Sequence, residues 1–167
     1  MKGSLKLGLL VVLLGACVML WPVKGRLEGV VAPDIVGKTP NGHEWNLANY
    51  KGKVVLVDFW ATWCGPCMQT MPHLRQIYSE FKDNPDFAMV GISLDEEPVR
   101  VLQFSQRGNI GWPLLVEPGR AWDNSIAQAY GVHAIPHTLV IGKDGVVFKD
   151  DLHGRALVDA IRAALGS

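Results

Sequence analysis

The spacing of apolar positions changes several times along the chain, and each change marks an element. Residues 53–60 (KVVLVDFW) are an almost unbroken apolar, β-branched run. Its length suits a strand, and the absence of alternation predicts a central strand buried on both faces. Residues 66–81 place Met68, Met71, Leu74, Ile77, Tyr78 and Phe81 at helical spacing. A second strand is expected over 87–94 (FAMVGISL), a helix over 97–107 and a short strand over 113–116. Residues 121–130 read as a helix that Gly131 stops. Strands at 138–141 and 146–149 flank Gly142-Lys143-Asp144-Gly145, a hairpin with a glycine-containing loop. An amphipathic helix over 155–165 closes the chain. The alternation predicts an α/β fold, a central mixed β-sheet flanked by helices.

A different pattern precedes it. Lys2 and Lys6 are followed by residues 7–23 (LGLLVVLLGACVMLWPV), which carry no charge, and Lys24 and Arg26 close the run. Seventeen helical residues span about 25 Å, slightly short of the ~30 Å hydrocarbon core. Snorkelling by Lys6 and Lys24 makes up the difference, and Trp21 stands where an interfacial aromatic belongs. An uncleaved signal anchor, a lipoprotein lipidated on Cys17 and a cleaved signal peptide all fit in outline. Leu14 is too large for a good cleavage site, and the apolar run continues past Cys17, where a lipoprotein normally has a polar tether. All three readings export the domain. The expected organisation is a membrane or lipoprotein signal over 1–24, a linker over 25–31 and one domain over 32–167.

Composition narrows the classes. The 167 residues carry 16 Lys+Arg against 16 Asp+Glu, so the basic face that nucleic-acid binding needs is not expected. Hydrophobic residues are 49% of the chain, but 14 of the 17 residues in 7–23 are hydrophobic, and the remainder has an ordinary globular content. A disordered chain, a polytopic membrane protein and a disulfide-stapled miniprotein are excluded.

Three cysteines are present, and two form Trp63-Cys64-Gly65-Pro66-Cys67 directly after the 53–60 strand. Cys64 is thus expected at the start of the following helix. Free amide groups and the helix dipole there favour a thiolate, lowering its pKa below the ordinary ~8.5. Pro66 fits an early helical position, where its missing N–H leaves no bond unmade. Cys67, one turn deeper, becomes the resolving thiol of a Cys64–Cys67 redox disulfide. Two other readings are a zinc half-site and an inert structural disulfide. Zinc wants two further ligands, and the only closely spaced histidines, His133 and His137, straddle a proline. An inert bridge gains little from so short a loop. No metal and no organic cofactor are expected.

VDFWATWCGPC resembles the active-site signature of thioredoxins. Ala32-Pro33-Asp34, Gly42, Leu47 and Tyr50-Lys51-Gly52-Lys53 resemble the exported TlpA/ResA-type, redoxin-like branch of that superfamily. The stretch between Leu94 and Ile135 resembles the branch's extra segment. The resemblance covers about residues 30–166. It implies a thioredoxin-like fold with an N-terminal β-hairpin extension and an inserted αβ segment, and dithiol–disulfide exchange as the activity. It also implies a cis Pro136 after Ile135, with the adjoining backbone pairing with an incoming peptide. Trp63, Gly65, Pro66 and Ile135 then form the substrate-facing surface. Asp58 stands where cytoplasmic thioredoxins carry a buried acid, which implies a general base for Cys67. The lysine that partners that acid has no match in Met89-Val90-Gly91-Ile92-Ser93. In much of the branch that matures cytochrome c, a glutamate lies three positions after the second cysteine, where this chain has Thr70. Cytochrome c maturation therefore stands only as one candidate pathway.

Simpler roles suit the other candidates. Trp60 is expected in the core and Trp63 on the rim, while Trp45, Trp112 and Trp122 read as packing residues. His137 reads as a strand-start residue with no catalytic task. The reading is a monomeric, membrane-tethered thiol–disulfide oxidoreductase facing the periplasm or cell exterior. Its partners are a protein disulfide substrate and a membrane-bound thiol electron donor. Two rivals remain. A redoxin-type thiol peroxidase wants a Pro several residues before its cysteine, which Asp58-Phe59-Trp60-Ala61-Thr62 lacks. A thiol metal-binding module would bind metal without reductase activity.

Overall fold

The computed structural model describes residues 27–166. The apolar run at 7–23 and Cys17 lie outside them. Among the described residues no helix is long and apolar enough to cross a membrane.

A two-stranded antiparallel hairpin comes first, β1 (Val36–Lys38) and β2 (Glu44–Asn46). The elements that follow are β3 (Val54–Trp60), α1 (Gly65–Phe81), β4 (Phe87–Ser93), α2 (Pro98–Gly108), β5 (Leu114–Val116), α3 (Ser125–Ala129), β6 (His137–Ile141), β7 (Val147–Asp150) and α4 (Gly154–Gly166). Their sheet has the order β5-β4-β3-β6-β7. β4 runs parallel to β3 and to β5, while β6 is antiparallel to both β3 and β7. β3 is therefore central, and all seven of its residues are buried, as an apolar run without alternation requires.

Strand alternation sends Phe59 and Trp60 to opposite faces. Phe59 packs on Tyr130 just beyond α3, with ring centroids 5.8 Å apart. Trp60 packs on Phe104 of α2 at 4.7 Å. Helices thus cover both sides of the strand that feeds the cysteine motif. Trp45 and Trp112 are buried, in keeping with packing roles.

The structure departs from the sequence pattern at 121–130. A single 3-10 turn, Ala121–Asp123, is followed by a separate helix, α3. Asn124 makes the break. Its backbone is non-helical, and its side chain accepts a 2.9 Å bond from the Ala127 N–H, so it caps a new helix instead of continuing the old one. Within 25–31, the described residues 27–31 lie against β7. The Gly29 N–H bonds to the Val147 carbonyl at 2.8 Å, and the Val147 N–H bonds to the Val30 carbonyl at 2.9 Å.

Candidate active site

The C-terminal ends of β3, β4 and β5 and the start of β6 share one edge of the sheet. The site is built there. Beyond Trp60 the chain must turn sharply into α1, and two anchors hold the turn. The Leu94 N–H donates to the Trp60 carbonyl at 2.8 Å. Thr62 is clamped by Asp95: its N–H reaches one carboxylate oxygen at 2.8 Å and its hydroxyl the other at 2.5 Å. The Ser93 hydroxyl also donates to Asp95, at 2.7 Å.

Cys64 is the N-cap of α1. Its Sγ accepts from the Cys67 N–H at 3.1 Å, and Pro66 occupies the first turn. Cys64 and Cys67 form a disulfide with an S–S distance of 2.04 Å. Cys64 keeps 5% exposure against 1% for Cys67. Trp63, Gly65 and Pro66 are exposed around the bridge, so an incoming group meets Cys64 first.

Asp58 lies two residues before the end of β3 and is 1% exposed. Among the described residues neither of its carboxylate oxygens has a hydrogen-bond partner. The register explains this. Asp58 stands opposite Gly91 on β4 and Thr138 on β6. Gly91 offers no side chain, and a larger residue would have to displace its neighbours. A Cβ there would lie 2.7 Å from Leu114 Cδ2 and 3.0 Å from Trp60 Nε1. The Thr138 hydroxyl is committed to the Leu152 carbonyl. Burial without compensation pushes the Asp58 carboxyl up from 3.8 to about 7.

The Ile135–Pro136 peptide bond is cis. His137 pairs with Phe59 across the sheet, so Ile135 and Pro136 reach the same edge as the motif. Both are half-buried. His137 is tied down from behind, with Nε2 2.7 Å from Asp150 Oδ1. Asp150 also accepts from the Leu27 N–H at 3.3 Å. Thr70 uses its hydroxyl locally, donating to the Cys67 carbonyl at 3.0 Å. Among the described residues no group of three or more His, Cys, Asp or Glu side chains gathers in a metal-ligating arrangement.

Two features escape the sequence reading. Asp95 is 1% exposed and positions the turn before Cys64. Its signal was present as an acid directly after an apolar strand, at the strand end where α/β sites form. Trp122 is not a packing residue, being 45% exposed with its ring centroid 6.3 Å from that of Trp63.

The AhpC/TSA family matches residues 29–149. The chain belongs to that family. It is similar to the thiol-disulfide oxidoreductase ResA of Geobacillus kaustophilus, with 32% identity over 119 residues, covering 71% of this chain and 66% of that protein. The chain thus spans about two thirds of that relative's length. The thioredoxin-like protein YneN of Bacillus subtilis is 33% identical over 130 residues, covering 77% of this chain and 72% of that protein. Among solved structures, a thiol:disulfide interchange protein from a Bacteroides species superposes with a TM-score of 0.73 at 26% identity, covering 84% of this chain and 91% of that one. The fold is thioredoxin-like, and this AhpC/TSA member is ResA-like.

Proposed function

We propose that this AhpC/TSA-family chain is a thiol–disulfide oxidoreductase that reduces protein disulfides outside the cytoplasm. The observation that carries this is the Cys64–Cys67 disulfide at the start of α1, with the better-exposed sulfur at the N-cap. In the dithiol form the free amides of the first turn stabilise the Cys64 thiolate. That thiolate attacks a sulfur of the substrate disulfide. The substrate S–S bond breaks, one substrate thiolate leaves, and Cys64 carries a mixed disulfide. Cys67 then loses its proton to Asp58 and attacks the Cys64 sulfur. The second substrate thiolate leaves, so the substrate has gained two electrons and the enzyme holds its disulfide. An external dithiol, a membrane-bound donor in this reading, restores the reduced form. The cis Ile135–Pro136 segment pairs with the incoming chain and lays its sulfur over Cys64, while Trp63, Gly65 and Pro66 supply the surrounding contact surface.

Ala32-Pro33-Asp34, shared with redoxins, favours one second reading, a thiol peroxidase. The two are separated by giving the prereduced protein either insulin or hydrogen peroxide. Rapid reduction of insulin disulfides with slow peroxide consumption is expected. Fast peroxide turnover with insulin untouched overturns the reductase reading.

The uncharged run at 7–23 behind Lys2 and Lys6 supports a membrane tether with the catalytic domain exported. Membrane fractionation should keep the full chain in the pellet. The Cys17→Ser variant separates the anchors: release or misprocessing means lipidation, and no change means a spanning helix. Full-length protein in the soluble cytoplasmic fraction rules out both. Thr70, where much of the cytochrome c branch has a glutamate, favours general disulfide reduction over a role confined to cytochrome c maturation.

A further inference from the structure

We propose that Trp122, on the loop between β5 and α3, completes with Trp63 a docking surface that selects protein disulfides carrying a bulky apolar residue beside the half-cystine. The inference rests on the oxidoreductase reading and assigns that site a substrate preference.

Trp63 and Trp122 are 53% and 45% exposed, with ring centroids 6.3 Å apart and planes at 58°. Two half-exposed indoles leave on the order of 200 Å² of adjoining aromatic surface open to solvent. The area is modest; what distinguishes the pair is that two aromatic rings adjoin each other and one of them directly precedes Cys64.

The loop is built to present Trp122. The Gly119 N–H bonds to the Glu96 carbonyl at 2.9 Å, and the Asp123 N–H to the Arg120 carbonyl at 2.6 Å. The Ser125 N–H bonds to Glu117 Oε2 at 2.6 Å. Ala121, directly before the indole, has φ +39°, a conformation that costs a non-glycine residue energy and persists only where its surroundings impose it. These bonds hold the Trp122 indole half-exposed next to Trp63.

The surface is continuous with the redox centre. Trp63 precedes Cys64, and the loop leaves β5 at the edge where β3 delivers the motif. Residues flanking a half-cystine bonded to Cys64 come within reach of Trp63, the exposed residue that precedes it. The charges nearby point to the occupant's chemistry. Arg120 Nε lies 3.7 Å from Glu117 Oε1, so that cation is already paired, and Asp123 stands exposed beside Trp122. An acidic flanking residue is therefore disfavoured, and an apolar one finds two ring faces.

The test uses the prereduced full chain with two disulfide-linked peptides of equal length and charge. One has Leu and Phe beside the half-cystine, and the other has Ser and Gly. Hydroxyethyl disulfide serves as a probe too small to reach the loop. The wild type should reduce the apolar peptide with a second-order rate constant roughly tenfold higher. Trp122→Ala should reduce that ratio to near one, with Trp122→Phe retaining part of it. Should Trp122→Ala fold poorly, Trp122→Gln carries the same expectation. No wild-type preference, or a preference unchanged by these substitutions, overturns the inference while leaving the oxidoreductase reading intact. Failure of the wild type on hydroxyethyl disulfide and on both peptides overturns that reading itself. A concentration-dependent dimer that Trp122→Ala dissociates, without change in peptide preference, assigns the surface to a second copy and also overturns the proposal.

Discussion

Replacing Cys67 by Ser should turn the protein from a catalyst into a trap. Cys64 still attacks a substrate disulfide, because its position at the N-cap of α1 does not depend on the second sulfur. Resolution needs a thiolate one turn into the helix, and a serine hydroxyl does not supply one. The mixed disulfide should therefore accumulate, visible on non-reducing gels and absent after dithiothreitol. Cys64→Ser should abolish disulfide reduction and trap nothing. Alkylation of the reduced wild type at mildly acidic pH should label Cys64 first, since Cys67 is almost fully buried and lacks the N-cap position. Faster labelling of Cys67 reverses the assignment.

Asp58→Asn should change turnover and stability in opposite directions. General-base help is typically worth ~10²–10⁴-fold, so release of substrate should slow by that order near neutral pH, with the rate profile displaced toward higher pH. Stability follows from the carboxyl being pushed up from 3.8 to about 7 by burial. Between those values the folded state holds the proton and the unfolded chain does not. Stability therefore falls as pH rises through that window, is lowest above about pH 7 and recovers toward pH 4. At 1.36 kcal/mol per pKa unit, the ionised carboxylate costs about 4 kcal/mol. Asn stays neutral at every pH. The variant should thus be more stable than wild type by about 2–4 kcal/mol at pH 8 and nearly equal to it at pH 4, measured by chemical denaturation. Among the described residues neither Asp58 oxygen has a hydrogen-bond partner that the amide would lose. Unchanged kinetics with lower stability would remove Asp58 from the mechanism.

The parts of this site written into the sequence are those fixed by local chemistry. The apolar run ending in Trp60, the Cys-x-x-Cys pair and Pro66 state their own positions, because burial, the helix start and the missing proline N–H each act within a few residues. Asp58 was legible as an acid in an apolar strand. Its isolation was not, because that depends on Gly91 and Thr138 arriving opposite it, and register is a tertiary property. Asp95 acts through Thr62, thirty-three residues earlier in the chain. The break at Asn124 was hidden by apolar spacing that runs through it, although asparagine is a good helix cap. The exposure of Trp122 was not legible either, because it depends on the separate 3-10 turn that sets the indole beside Trp63.

The equilibrium reduction potential of the Cys64–Cys67 pair, measured against a glutathione or dithiothreitol buffer, tests the central claim most directly. Gly65-Pro66 is the dipeptide of reducing thioredoxins, and the account predicts a value near their roughly −270 mV. A value near the roughly −120 mV of strong oxidants would contradict it and make this protein a source of disulfides instead of a reductant.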